Sequence, residues 1–392
     1  MTQVDTQRIE RLQAKMKDAG IDALICRLPE NVVYLTEYWP HHGVSVAVLP
    51  TQGGPILFIP EVEAEYGNPD WAEVIPFGWA LVKDADQYQS YRALLGQLKA
   101  RLNLNSATIG IEESFEVVGS TYRAAEPIVP AAPWFDMLAD VFAGASLIDA
   151  TDLLQTTRAI KTEYELEKLR IANEIAEIGM REFVATVKPG MTEAEVGALV
   201  EYHIRTKGPG YRGAKLVRAS AEVGAGPVNS TKCVLLVPST TYTIQEGDLV
   251  MVELGVAVDG YWADLTYMAV AGEPNDRQRD IHNTVLRAQQ AAAQQVKAGA
   301  AWSDPDTAAR TVLKEAGLAD YFVHVTGHGI GLRYHEGIPF LMPGATAKLQ
   351  AGMVTSVEPG VYIPGFGGIR IEDIVAVGEA GPIFLSTPRH PW

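Results

Sequence analysis

The segment from Val250 to Asp264, V-M-V-E-L-G-V-A-V-D-G-Y-W-A-D, constrains this chain more than any other. Two apolar runs meet at Asp259-Gly260, a dipeptide suited to the left-handed backbone of a two-residue hairpin turn. Glu253 stands inside the first run and Asp264 ends the second. A carboxylate among Val, Leu, Tyr and Trp costs on the order of several kcal/mol unless it is paired or holds a cation. The pattern predicts a β-hairpin that carries two acids into apolar surroundings.

The same conflict recurs downstream. Glu358 follows the strand-like Val354-Thr355-Ser356-Val357 and precedes Pro359-Gly360, while Glu372 lies in Gly368 to Val375, expected as another strand. Between these regions, Val325 to Pro339 reads V-T-G-H-G-I-G-L-R-Y-H-E-G-I-P, with Gly327, Gly329 and Gly331 packed around His328 and His335 seven residues beyond it. Glycine at that density permits close backbone approach and weakens regular structure. A loop aiming a histidine is expected there, after a strand over Phe322 to Val325. Four carboxylates and one such histidine form an oxygen-rich set without thiolates. It suits a pair of divalent ions such as Mn²⁺, Co²⁺ or Zn²⁺ better than a structural zinc site.

These residues resemble the pita-bread metallopeptidase family, which includes methionine aminopeptidase, prolidase, aminopeptidase P and creatinase. The motifs are two acids eleven residues apart, a G-H-G-I-G histidine, an E-P-G glutamate and an R-x-E glutamate, in that order. The resemblance runs from about Thr156 to the C-terminus, with a looser one over the N-terminal third. It implies an α+β protein. The C-terminal part would be a pita-bread fold, an antiparallel sheet backed by helices with internal pseudo-duplication, and the smaller N-terminal part an α/β domain like that of creatinase.

The resemblance also implies a site. Glu253, Asp264, His328, Glu358 and Glu372 would hold two divalent ions, manganese first, with cobalt, zinc or iron as alternatives. A water acidified between the ions would attack the scissile carbonyl. Glu358 would double as proton shuttle and His335 would hydrogen-bond the substrate. Tyr362 and Arg370 match a Tyr/Arg pair behind the metals, Arg370 orienting the carboxylates. In dimeric relatives the loop corresponding to Tyr38-Trp39-Pro40-His41-His42-Gly43 reaches the partner's site, so His41 or His42 would contact substrate in a homodimer. The implied activity is that of an Xaa-Pro dipeptidase or aminopeptidase acting on short peptides.

Two departures bear on the substrate. The first acidic position is normally Asp and here is Glu253. A histidine that relatives place sixteen or seventeen residues before that acid is replaced by Leu236 or Val237, and no histidine lies between His203 and His282. Either His41, His42 or Lys232 takes its part, or the substrate is another small molecule. The alternative is therefore a hydrolase of small amides, amidino compounds or cyclic compatible solutes, or a lyase on a small zwitterion. A binding module on a catalytically dead scaffold is a third reading, disfavoured by the five filled ligand positions.

The 392 residues exceed one ordinary domain, and two are expected, 1–155 and 156–392. The first alternates helix and strand: a stripe of Ile9, Leu12, Met16 and Ala19, then buried Ala23 to Cys26, paired strands around Gln52-Gly53-Gly54, and Ala107 to Ile111. The second opens on Thr162-x-x-Glu165 and again on Thr192-x-x-Glu195, both capping-box signatures. Further helices are expected over Ile281 to about Lys297 and from Ser303 to Gly317. A net charge of −16 argues against nucleic acid as partner. The longest apolar runs fall short of the roughly 20 residues of a membrane span, and the polar N-terminus does not read as a signal peptide. A cytoplasmic location is the expectation. Cys26 and Cys233 are too few for a disulfide framework and read as small apolar residues.

Overall fold

The computed structural model describes residues 4–79, 86–114, 132–232 and 238–392. Cys233, Leu236 and Val237 lie outside these residues. Contacts divide the described residues into two units, one ending at Arg158 and the other beginning at Ala159.

The first unit is built on a mixed six-stranded sheet. Its strands are β1 (Ala23–Cys26), β2 (Val46–Pro50), β3 (Ile56–Pro60), β4 (Glu73–Phe77), β5 (Thr108–Ile111) and β6 (Ser146–Asp149), in the order β4-β3-β2-β1-β5-β6. β1, β2 and β3 are buried at every residue, which explains why A-L-I-C, V-A-V-L-P and I-L-F-I-P are apolar without alternation. Helices α1 (Thr6–Asp18), α2 (Pro29–Thr36), α3 (Gln87–Arg101), α4 (Ala132–Val141) and α5 (Thr151–Arg158) complete the unit. The boundary expected after residue 155 falls inside α5.

In the second unit, α6 (Glu163–Thr186) and α7 (Glu193–Lys207) each begin with a complete capping box, in which the Thr hydroxyl and the Glu carboxylate satisfy opposing backbone N–H groups. Such a cap is worth about 1 kcal/mol. These helices lead to β7 (Val217–Ala225), a short α8 (Gly226–Lys232), β8 (Leu249–Val258) and β9 (Tyr261–Val270). A second helix pair, α9 (Asp276–Ala293) and α10 (Ser303–Glu315), precedes β10 (Gly327–Gly329), β11 (Glu336–Leu341), β12 (Val354–Val357), β13 (Gly360–Ile363), β14 (Gly367–Arg370), β15 (Asp373–Val377) and β16 (Pro382–Phe384). The core packs α9 and α10 through Val285, Ala288, Ala292 and Leu313 against Val357, Ile369 and Val375. No helix among the described residues is long and apolar enough to cross a membrane.

The antiparallel strands form three pieces, β7-β8-β9, β11-β10-β12-β15-β16 and the β13-β14 ribbon. Side chains join these pieces at the functional site. Two expectations are corrected here. Phe322 to Val325 is not a strand, and the strand begins at Gly327, so His328 sits in β10 and not in a loop. The glycines around it are the reason: a Cβ on Gly327 would lie 2.0 Å from the Ser356 carbonyl, and one on Gly329 would lie 2.2 Å from that of Ile338. Finally, Gly368 to Val375 breaks at Ile371-Glu372, with β14 and β15 in different sheets.

Candidate active site

The hairpin geometry places the first two acids. Asp259 and Gly260 both have positive φ, at 50° and 94°, as the tight turn requires. Pairing from Val258↔Tyr261 backwards sets Gly255 opposite Asp264 and Glu253 opposite Thr266. Side chains alternate faces along a strand, so Glu253, Asp264 and Thr266 share one face of the hairpin, with the two acids on a diagonal. The eleven-residue spacing is this diagonal.

β10 and the segments around β14 supply the rest. His328 Nδ1 lies 2.9 Å from the Gly329 carbonyl, an acceptor, which fixes the proton on Nδ1 and turns Nε2 toward Asp264 Oδ2 at 3.4 Å and Glu358 Oε1 at 3.3 Å. The Ser356 hydroxyl donates to Glu358 Oε1 at 3.0 Å, and the Glu358 amide donates to the Thr326 carbonyl at 2.9 Å. Glu372 Oε2 accepts from Thr266 Oγ1 at 2.7 Å, whereas Glu372 Oε1 has no hydrogen-bond partner among the described residues although Glu372 is fully buried. His335 presents Nε2 3.8 Å from Asp264 Oδ2, its ring edge-on to His328 at 4.0 Å. Ligand atoms of three overlapping groups each lie within 4.8 Å of one another: Asp264, His328 and His335; His328, Glu358 and Glu372; Glu253, Asp264 and Glu372.

Arg370 joins the sheets. Its Nη2 donates to Glu253 Oε2 at 2.5 Å, its Nε to Thr266 Oγ1 at 2.9 Å and its Nη1 to the Tyr362 hydroxyl at 2.9 Å. Tyr362 in turn lies 3.0 Å from His324 Nε2. His324 Nδ1 donates to its neighbour's carbonyl at 2.7 Å, so Nε2 is the acceptor and the Tyr362 hydroxyl points at it. A further brace holds the turn before β11: Lys161 Nζ pairs with Glu336 Oε2 at 3.0 Å in a buried position, and Glu336 Oε1 accepts the Leu332 amide.

Electrostatics agree with the crowding. Burial and then the charges of Asp264, Glu358 and Glu253 push the Glu372 carboxyl well above its ordinary range, Arg370 acting against them. Burial alone would lower His328, but its contacts with Asp264 and Glu358 raise it to about 10. Glu358 is lowered, since contact with His328 and the charge of Arg370 outweigh burial. Four carboxylates facing one guanidinium, with a buried carboxylate oxygen left unpartnered, fit divalent cations of the oxygen-preferring kind.

Sequence reasoning and structure meet at Glu253, Asp264, His328, His335, Glu358, Tyr362, Arg370 and Glu372, which are brought together. His41 and His42 belong to the first unit, between α2 and β2. There the buried Glu63 carboxylate takes the His42 ring, the Tyr38 hydroxyl and the His41 amide. Lys232 is exposed at the end of α8. The sequence reading missed Thr266, His324, Ser356 and Tyr334. Thr266 was deducible from the hairpin register. Tyr334, adjacent to His335, carried only the signal of an aromatic beside a histidine.

Comparison with known proteins agrees with this architecture. The family description "Metallopeptidase family M24" matches residues 167–379, and "Creatinase/Prolidase N-terminal domain" matches residues 8–160. The chain belongs to metallopeptidase family M24. Over 377 residues it is 32% identical to an Xaa-Pro dipeptidase of Pyrococcus furiosus, covering 96% of each chain. Among solved structures it is similar to an X-Pro aminopeptidase from Thermotoga maritima, at 27% identity, a TM-score of 0.78 and 98% of each chain. A recombinant prolidase from Thermococcus sibiricus has 26% identity and a TM-score of 0.78, covering 100% of this chain and 99% of that one.

Proposed function

We propose that this protein is a dinuclear, divalent-cation-dependent hydrolase of short peptides that cleaves the bond preceding proline. The observation that carries the reading is the carboxylate cluster with its unpartnered Glu372 oxygen. Relatives printed as Xaa-Pro dipeptidase and X-Pro aminopeptidase support the substrate class. Glu253, Asp264, His328, Glu358 and Glu372 are the proposed cation ligands, with manganese the first candidate and a homodimer the proposed assembly. When bound, the cations supply Lewis-acid activation of water and of the scissile carbonyl.

The side chains divide the work by depth. Asp264 is 1% exposed and Glu372 is fully buried, which suits them to holding cations and nothing else. Glu358 and His335, at 15% and 17%, are the more open members and so the ones that face substrate. Glu358 takes the attacking water's proton and returns it to the departing nitrogen, oriented meanwhile by Ser356. His335 donates to the substrate. Arg370 fixes Glu253, and Tyr362 fixes Arg370. His41 and His42 are proposed to reach substrate from a second copy of the chain.

The test is hydrolysis of Ala-Pro, Leu-Pro and Ala-Pro-Ala by metal-stripped protein reloaded with Mn²⁺. Cation-dependent release of proline is expected, and cleavage of the tripeptide would assign an aminopeptidase. The lack of any histidine between His203 and His282 favours a second reading, a small amide or zwitterion as substrate. Stoichiometric cation without turnover of any of the three peptides would establish that one instead.

A further inference from the structure

Tyr334 stands inside the acid cluster. Its hydroxyl contacts Glu253 Oε1 and lies 2.5 Å from Asp264 Oδ1. The side chain is buried, with Trp262 at 5.5 Å, His335 at 4.4 Å and His328 at 6.5 Å between ring centres. The turn that carries it is braced by the Lys161–Glu336 pair and by the Leu332 amide. Glu253 cannot turn its other oxygen to the cluster at no cost, because Oε2 accepts from Arg370 Nη2.

We propose that the Tyr334 hydroxyl guards the Glu253–Asp264 side of the site, so that two cations bind unequally. This rests on the dinuclear reading above. His328, Glu358 and Glu372 form one group of ligand atoms and Glu253, Asp264 and Glu372 another, while Asp264 also joins His328 and His335 in a third, its Oδ2 facing the two histidines and its Oδ1 the phenol. Among the described residues, the phenol oxygen contacts both Glu253 and Asp264, which belong to the second group. A first-row divalent ion takes carboxylate oxygens at about 2.0–2.2 Å, so an ion on those oxygens and the phenol oxygen compete for one place. The phenol has a single O–H and serves one carboxylate at a time. Tyr334 is therefore a displaceable occupant: it neutralises part of the acid crowding and sets the threshold for the second ion. The first ion loads on the His328 side, and occupancy of the second follows the free cation concentration.

Mn²⁺ titration of the metal-stripped full chain, with free Mn²⁺ counted by electron paramagnetic resonance, tests this without reference to turnover. Wild type is expected to show two classes of site, the second weaker by about tenfold or more. Tyr334→Phe removes the oxygen and keeps the ring, and should bring the two classes within about threefold by tightening the second. Glu253→Asp withdraws the carboxylate from the phenol and should shift the second class in the same direction. Circular dichroism of each cation-free variant checks its fold. Two equal classes in wild type, a single ion in wild type and Tyr334→Phe alike, or an unchanged gap in both variants would overturn the role of Tyr334 and leave the cation site standing. No Mn²⁺ bound by wild type would overturn the cation site as well.

Discussion

Two sets of buried carboxylates, one in each unit, are treated in opposite ways. In the first, Glu112 is 4% exposed and accepts hydrogen bonds from the Arg27 and Leu28 amides at 2.7 and 3.0 Å and from the Asn31 side chain. Glu63 is likewise surrounded by Tyr38, His42 and the His41 amide. In the second unit, Glu253, Asp264, Glu358 and Glu372 crowd one another, and Glu372 keeps an oxygen with no donor among the described residues. Burial is common to both regions. What separates a structural acid from a cation site is the supply of donors, complete around Glu112 and deficient around Glu372.

The largest effect should come from removing a shared acid. Asp264→Asn is expected to abolish Mn²⁺ retention, read by elemental analysis after gel filtration, and to lower turnover by about 10³-fold, or about 4 kcal/mol of barrier. Unchanged cation content would remove Asp264 from the site.

The next effect tests the complete donor set. Burial holds the Glu112 carboxyl at about 7 against its usual 4.5, despite its hydrogen bonds, which act in the other direction. The folded protein therefore binds this proton more tightly than the unfolded chain. That stability is fully present below pH 4.5 and is lost as pH rises through about 7, a change on the order of 3 kcal/mol. Glu112→Gln should flatten this dependence in urea melts of the first unit. An unaltered pH slope would show that Glu112 is not its source.

The smallest expected effect belongs to neither acid set. The Trp392 ring stacks on His282 at 3.9 Å with 9° between planes. Burial lowers His282 to about 4, the Asn283 contact opposing it. The depressed value means that its contribution is present above the ordinary 6.5 and is lost as pH falls through about 4. Trp392→Ala should cost about 1 kcal/mol at neutral pH and move the His282 titration, followed by NMR, back toward 6.5.

Legibility in the sequence followed the range of the causes. Asp259-Gly260 and the capping residues at Thr162 and Thr192 act within a few positions, and the hairpin and helices they specify are where the spacing puts them. A third box, Asn275 with Gln278, opens α9 by the same local rule and was overlooked because its residues are amides. The strand at Gly327 was hidden because the need for glycine comes from Ser356 and Ile338, distant in sequence. Glu372 was placed inside a strand because Gly368 to Val375 alternates well, and the break at Ile371 arises only where two sheets part. Tyr334 reads as packing until the acids are folded around it.

The turn at Asp259-Gly260 also works as a ruler. Because Glu253 and Asp264 sit on opposite arms of one hairpin, the number of residues between them, rather than their identity, determines whether they share one face of the sheet. Adding or removing one residue there would shift the register and send one acid to the opposite face of the sheet. Substitutions between the two acids are open to this chain as far as packing allows, while any change in length has to come in pairs.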